Sequence, residues 1–248
     1  MDDRVRRELA ALNNACWCEA VCAAHGAGGV IGPAFWLTRH RPPPFHSNLV
    51  TVAADFGRDE LDAVLASLAS APIAPDWTIK DSHAAFDLVE AGWGELFSAH
   101  WIWRDDLAAF PLSTAPAVRL HTPADRVRWE RAWHGLRHDD RAELPWRQFP
   151  DAVWTDPRHG FYAVLDAQGH ISAGAIANRS PGVVGLSNLF VVTGDRMRAW
   201  AALTDAIARD QPGRPLVGYE RDGDDLDAAR AVGFERIGAL RVWQHRPA

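Results

Sequence analysis

Apolar positions along the chain repeat with two periods, and the switches between them mark out the elements. Val5, Leu9, Leu12, Cys16 and Ala20 recur at helical spacing, so residues 3–25 read as an amphipathic helix stopped at Gly26 and the Gly28-Gly29 pair. Residues 26–44 carry no period and end in Pro42-Pro43-Pro44, a stiff extended run. Asn48 to Ala53 reads as a strand, and Arg58 to Leu68 as a helix turning Leu61, Val64, Leu65 and Leu68 inward. A short strand over Trp77 to Lys80, a helix from Ala84 to Ala91 stopped by Gly92, and a strand over Gly94 to Trp103 follow. The stretch 104–118, with Pro111 and Pro116, reads as a linker.

Beyond it, Thr122-Pro123 opens a helix to His138, Thr capping and Pro taking the first turn. Arg141 to Arg158 is mixed, with three prolines. Phe161 to Leu165 and His170 to Asn178 form a hairpin around Asp166-Ala167-Gln168-Gly169. The chain is organised around the next stretch, Gly185 to Met197, whose first half is a strand apolar on both faces from Leu189 to Val192. Thr193-Gly194-Asp195 breaks that strand, and Arg196 to Asp210 returns to helical spacing. A buried strand ending at a helix N-terminus aims unpaired N–H groups and the positive helix end at one point, which suits an anion. Pro215 to Tyr219 is then a strand, Asp224 to Val232 a helix, and Phe234 to Gln244 a last strand bent near Gly238.

Sliding the chain by 140 residues brings its halves together. Ser47-Asn48-Leu49 falls on Ser187-Asn188-Leu189, Val52 on Val192, Asp55 on Asp195, Arg58 on Arg198, Ala66 on Ala206, Pro72 on Pro212 and Pro75 on Pro215. With one residue inserted, Gly92-Trp93 lands on Gly233-Phe234. The same strand–helix–strand order in both places reads as an internal duplication. The expected division is residues 1–110, a truncated and degenerate copy, and 111–248, a complete one.

At 248 residues the chain has length enough for one large domain or two small ones. A net charge of −6 with no basic stripe argues against a nucleic-acid partner. No run of eighteen apolar residues occurs, and the first residues lack the apolar core of a secretion signal. The expected setting is cytoplasmic, with no membrane partner and a monomer or homodimer. Cys16, Cys18 and Cys22 share one predicted helix and make no disulfide framework. Cys18, Cys22 and His25 fall on one face of it, but without a fourth ligand they read as packed thiols and no metal is expected.

The order hairpin, long strand, helix, strand, helix, strand resembles the GNAT (GCN5-related) N-acetyltransferases. The strongest match is Ala228-Ala229-Arg230-Ala231-Val232-Gly233-Phe234-Glu235-Arg236-Ile237-Gly238, which has the look of that family's last helix and strand. The resemblance covers residues 117–246, and 45–103 look like the second half of the same fold. It implies an α/β (α+β) acyl-CoA N-acyltransferase fold, a partial N-terminal copy followed by a complete C-terminal one.

It also implies acetyl-CoA as co-substrate. The pantetheine arm would run along Leu189, Phe190 and Val191, and the pyrophosphate would rest near Arg196, Met197, Arg198 and Ala199. The family prefers Arg-Gly-x-Gly-x-Gly/Ala there, where this chain has Arg196-Met197-Arg198-Ala199-Trp200-Ala201. Two arginines offer direct pairing with phosphate in place of the lost glycine contacts. Many members carry a Tyr four residues before the Gly-Phe as general acid, a position held here by Ala229. Tyr219 and Glu220, at the end of the strand beside the implied cleft, are the candidates for the base, and Asn188 for a contact to substrate. In the N-terminal copy, Asp59-Glu60 would repel phosphate, so that copy is expected to be structural. The resulting expectation is acetyl transfer from acetyl-CoA to an amine of a small molecule or peptide. The alternative is a catalytically inactive relative that binds an acyl-CoA or acts as an interaction or regulatory module.

Overall fold

The computed structural model describes residues 1–69, 77–105 and 116–246, which form two compact units. One is Met1–Trp101 with Ile237–Ala248, the other Ile102–Arg236. The expected boundary between residues 110 and 111 lies outside the described residues, as do the repeat positions Pro72 and Pro75.

In the first unit, α1 (Asp3–Ala24) starts where the Asp2 carboxylate accepts from Val5 N at 2.9 Å. Its buried side packs Ala15, Cys18 and Cys22 against Ala27, Trp36, Val50 and Val52. Burial pushes both thiols up, so they pack as small hydrophobes. The aperiodic stretch after α1 holds two short strands, β1 (Val30–Ile31) and β2 (Phe35–Leu37), paired antiparallel. Two or three residues are too few to display a period of two, which is why the sequence did not announce them.

β2 lies antiparallel to β3 (Leu49–Thr51), which runs parallel to β4 (Thr78–Asp81) through the crossover helix α2 (Arg58–Ala69). The helix expected over 84–91 does not form: only Val89–Ala91 makes a single tight turn. The Asp81 carboxylate accepts from His83 N and Phe86 N, and Ala84 sits at φ +50°, so local side-chain bonding displaces the helix. β5 (Trp93–Arg104) begins in this unit, and the chain's last strand, β11 (Glu235–His245), pairs antiparallel with β4, Arg241 opposite Asp81 and Trp243 opposite Ile79. The strand order is β1-β2-β3-β4-β11-β5.

The second unit orders its strands β10-β9-β8-β7-β6. β6 (Ala117–Leu120), β7 (His159–Leu165), β8 (Ile171–Ser180) and β9 (Val183–Val191) form an antiparallel run. β10 (Leu216–Glu220) joins β9 in parallel through α5 (Arg196–Asp210), and α6 (Asp224–Ala231) follows. α3 (Pro123–Trp133) opens with a capping box between Thr122 and Asp125 and stops before Gly135 at φ +75°, short of the expected His138. A one-turn helix, α4 (Asp151–Trp154), lies in the mixed stretch.

Alternation along the strands sends Tyr162, Val164, Ala173, Ala175, Val184 and Leu186 into one core with Trp200, Leu203 and Ile207 of α5. On the other face, Phe161 and Phe190 each meet the Trp129 ring of α3 edge-on at 5.1 Å between centroids. Trp129 satisfies its buried indole N–H on Tyr162 O at 2.9 Å. Among the described residues, no helix is long and apolar enough to cross a membrane.

Candidate active site

The site begins with an extra residue in β9. Ala173 and Gly174 of β8 face Val191 and Phe190, but Ile176 faces Ser187, so two residues of β9, Asn188 and Leu189, stand opposite Ala175 alone. Asn188 takes φ +53°, a left-handed backbone that Asn tolerates better than most residues with a side chain. The bulge also reverses the strand's alternation: before it Val184 and Leu186 enter the α5 core, after it Leu189 and Val191 do. Phe190 is thereby turned to Trp129.

β10 pairs with β9 only at Leu216–Val184 and Val217–Gly185. At the next residue, Gly218, a Cβ would lie 3.0 Å from Leu186 O, so glycine keeps that approach open. Past it the ladder stops, and the main chain of Leu189, Phe190 and Val191 has no β10 partner. The strands part where the bulge bends β9 away. Counting on from the paired residues, Glu220 stands level with Asn188. Tyr219 and Glu220 are both half-buried and, being adjacent in a strand, point to opposite faces.

Glu220 occupies the mouth of this cleft. Burial, and then the Asp225 carboxylate, push its carboxyl up to about 8 against the opposing pull of Arg196. Arg196 Nη1 donates to Asp225 Oδ1 at 2.6 Å, and the Trp200 indole donates to the same oxygen at 3.0 Å. Asp225, on the first turn of α6, thus holds the start of α5.

At the helix end itself, Asp195 is the N-cap, its Oδ1 accepting from Arg198 N at 2.9 Å and its main-chain O from Ala199 N at 3.0 Å. The N–H groups of Arg196 and Met197 precede the first intrahelical bond and stay open. Met197 packs against the α5 core, Ala199 is buried, and Arg198 is exposed. Trp200 is fully buried, and a Cβ at Gly194 (φ +97°) would meet nothing within 4 Å. Neither Met197 nor Trp200 therefore fills the turn. The parted strands fit a pantetheine arm, and two open amides with the Arg198 guanidinium fit a diphosphate. The Asp195 carboxylate works against that second fit.

The Asp195 cap was readable as an Asp just before a helix, whereas nothing local marks Asp225 as the partner of Arg196. Ala229, at the position of the family's acid, lies in the core and brings no hydroxyl to the cleft.

The matching place in the first unit is shut. There β3 and β4 stay paired at Leu49–Ile79 and Val50–Lys80, and Asn48 exchanges bonds with Thr78 through its N–H and its Oδ1. The start of α2 is capped from within, Glu60 Oε2 accepting from Gly57 N at 2.8 Å. Lys80, the counterpart of Glu220 in the repeat, is buried and donates to Asn14 Oδ1 at 2.9 Å.

No protein-family model matches the sequence, and no curated protein matches it. Solved structures do match in fold. A GCN5-related N-acetyltransferase from Kribbella flavida is 14% identical and superposes with a TM-score of 0.63 over 100% of this chain and 97% of its own. Another, from Sphaerobacter thermophilus, is 14% identical with a TM-score of 0.54, covering 97% of this chain and 94% of its own. The chain has the fold of the GCN5-related N-acetyltransferases.

Proposed function

We propose that the protein transfers an acetyl group from acetyl-CoA to an amine of a small molecule or peptide, in the cleft between β9 and β10. One observation carries the reading: the Asn188 bulge parts the two strands level with Glu220, whose carboxyl titrates near 8. When bound, acetyl-CoA would supply the activated thioester. The open main chain of Leu189, Phe190 and Val191 would align the pantetheine arm, and the N–H groups there would polarise the carbonyl. Glu220, ionised, would take the proton of the attacking ammonium or amine. Its raised value sits close to that of a thiol, about 8.5, so it could pass the proton on to the leaving thiolate. That relay makes a separate acid at Ala229 unnecessary. Arg198 and the Arg196 and Met197 amides would hold the diphosphate.

The two strand–helix–strand segments 140 residues apart, each with parallel strands, support descent of both halves from one unit. On this reading the N-terminal half is structural. The Asp195 carboxylate at the helix end favours a second reading, a relative that binds acyl-CoA weakly and turns nothing over. Calorimetry with acetyl-CoA, followed by thiol release against a panel of amines, tests both. Binding with turnover that Glu220→Gln abolishes supports the enzyme; binding without turnover supports the second reading; no binding at millimolar acetyl-CoA removes both.

A further inference from the structure

A cavity of about 490 Å³ opens past the C-terminal end of β9, lined by Val192 and Thr193, the end of α3, the residues after it and the β7–β8 turn. Its charged walls are unbalanced. Arg128, Arg131 and Arg137 line it, with Asp166 as the lone carboxylate among the lining residues. Arg128 and Arg137 lean on Asp125 and Asp139, neither of which lines the cavity. Arg131 donates to two main-chain carbonyls, Asp140 O at 2.6 Å and Ala142 O at 2.8 Å. Those bonds fix its guanidinium without cancelling its charge.

Two imidazoles complete the wall. His138 stacks on His170 at 3.6 Å between ring centroids and 15° between planes, and His170 Nδ1 lies 3.5 Å from Asp166 Oδ2. Leu136, Ile171 and Val192 supply apolar surface. Guanidinium forks held in place beside an apolar floor suit a phosphate or carboxylate carried on a partly apolar body.

We propose that this cavity is an anion-binding site, taking the phosphate or carboxylate of a small molecule between Arg131, Arg137 and the imidazole stack. The proposal does not depend on acetyl transfer. An anion here has two sources, the phosphates of an acyl donor or an acidic group on the molecule being modified, and the chemistry of capture is the same.

Inorganic pyrophosphate is the probe. Titrated into the whole chain and followed by calorimetry and amide shifts, it should bind at millimolar concentration or tighter and move the Val192, Thr193 and Ile171 amides. Losing one charge-assisted guanidinium contact weakens binding roughly tenfold, so Arg131→Gln and Arg137→Gln should each show that loss. Arg131 also braces residues 140–142, but Arg137 is exposed, so Arg137→Gln keeps the test valid if Arg131→Gln misfolds. Displacement of pyrophosphate by CoA and not by pantetheine assigns the anion to the donor. Displacement by neither assigns it to the acceptor. No binding at millimolar pyrophosphate overturns the site, as does equal binding by wild type and Arg137→Gln, which would place the anion at the start of α5.

Discussion

Arg196 Nη1 lies 2.6 Å from Asp225 Oδ1, an oxygen that also accepts the Trp200 indole N–H. This contact sets two properties of the cleft together. It draws a guanidinium at the head of α5 towards α6, and it keeps beside Glu220 a carboxylate that raises the Glu220 value. Asp225→Asn removes the charge while leaving an oxygen for the indole. The variant should lower the Glu220 value from about 8 and release Arg196 to bind phosphate. A pH–rate profile whose rising limb moves to lower pH, with tighter acetyl-CoA binding by calorimetry, is the expected result. An unmoved limb would mean that Asp225 does not act on the titrating group.

Glu220 itself ties activity to pH in a fixed direction. As base it works ionised, so kcat/KM should rise with pH through about 8. Its effect on stability has the opposite sign. Between the ordinary carboxylate value of 4.5 and about 8 the folded protein holds a proton that the unfolded chain releases. Stability should therefore fall as pH rises across that window. Glu220→Gln should flatten the stability slope there and cut kcat by roughly 10²- to 10⁴-fold. Denaturant melts at several pH values, read beside the rates, check both halves.

Asp195 opposes a diphosphate at the start of α5. Serine caps a helix nearly as well as aspartate and carries no charge, so Asp195→Ser should preserve stability. Removing a like charge from the helix end should tighten CoA binding by about 1 kcal/mol, or roughly fivefold. CoA titration of the two proteins measures it, and unchanged affinity would move the diphosphate away from this turn.

The bulge depends on a left-handed residue. Asn188→Gly should fold as well as the parent, within about 1 kcal/mol, because glycine adopts that backbone freely. Asn188→Val should lose about 1–2 kcal/mol, or straighten β9 and close the cleft. If Asn188 serves only to shape the backbone, the glycine variant keeps its turnover. If its amide touches substrate, turnover falls in both while acetyl-CoA affinity holds in the glycine form.

Gly174 has no room for a side chain, since a Cβ would come within 2.6 Å of both the Phe190 ring and the Trp129 indole. Gly174→Ala should cost about 1–3 kcal/mol through overpacking. Chemical denaturation checks it, and a shift in the Trp129 environment by fluorescence would accompany the loss.

The sequence by itself determined the strand–turn–helix junction at Thr193 to Arg196, the order of elements in the second unit and the repeat, because each is written in local period, capping residues or self-similarity. It also determined that Glu220 ends the strand beside that junction. Only the tertiary structure decided the rest. The bulge at Asn188 exists because β8 and β9 pair out of step, and no residue in β9 alone reveals its partner's register. The helix expected over 84–91 gave way to Asp81, whose carboxylate found the N–H groups of His83 and Phe86. β11 joined β4 across more than half the chain, a pairing that sequence order does not encode. Above all, the charge state of Glu220 rests on burial and on Asp225, and both are properties of neighbours that folding brings near.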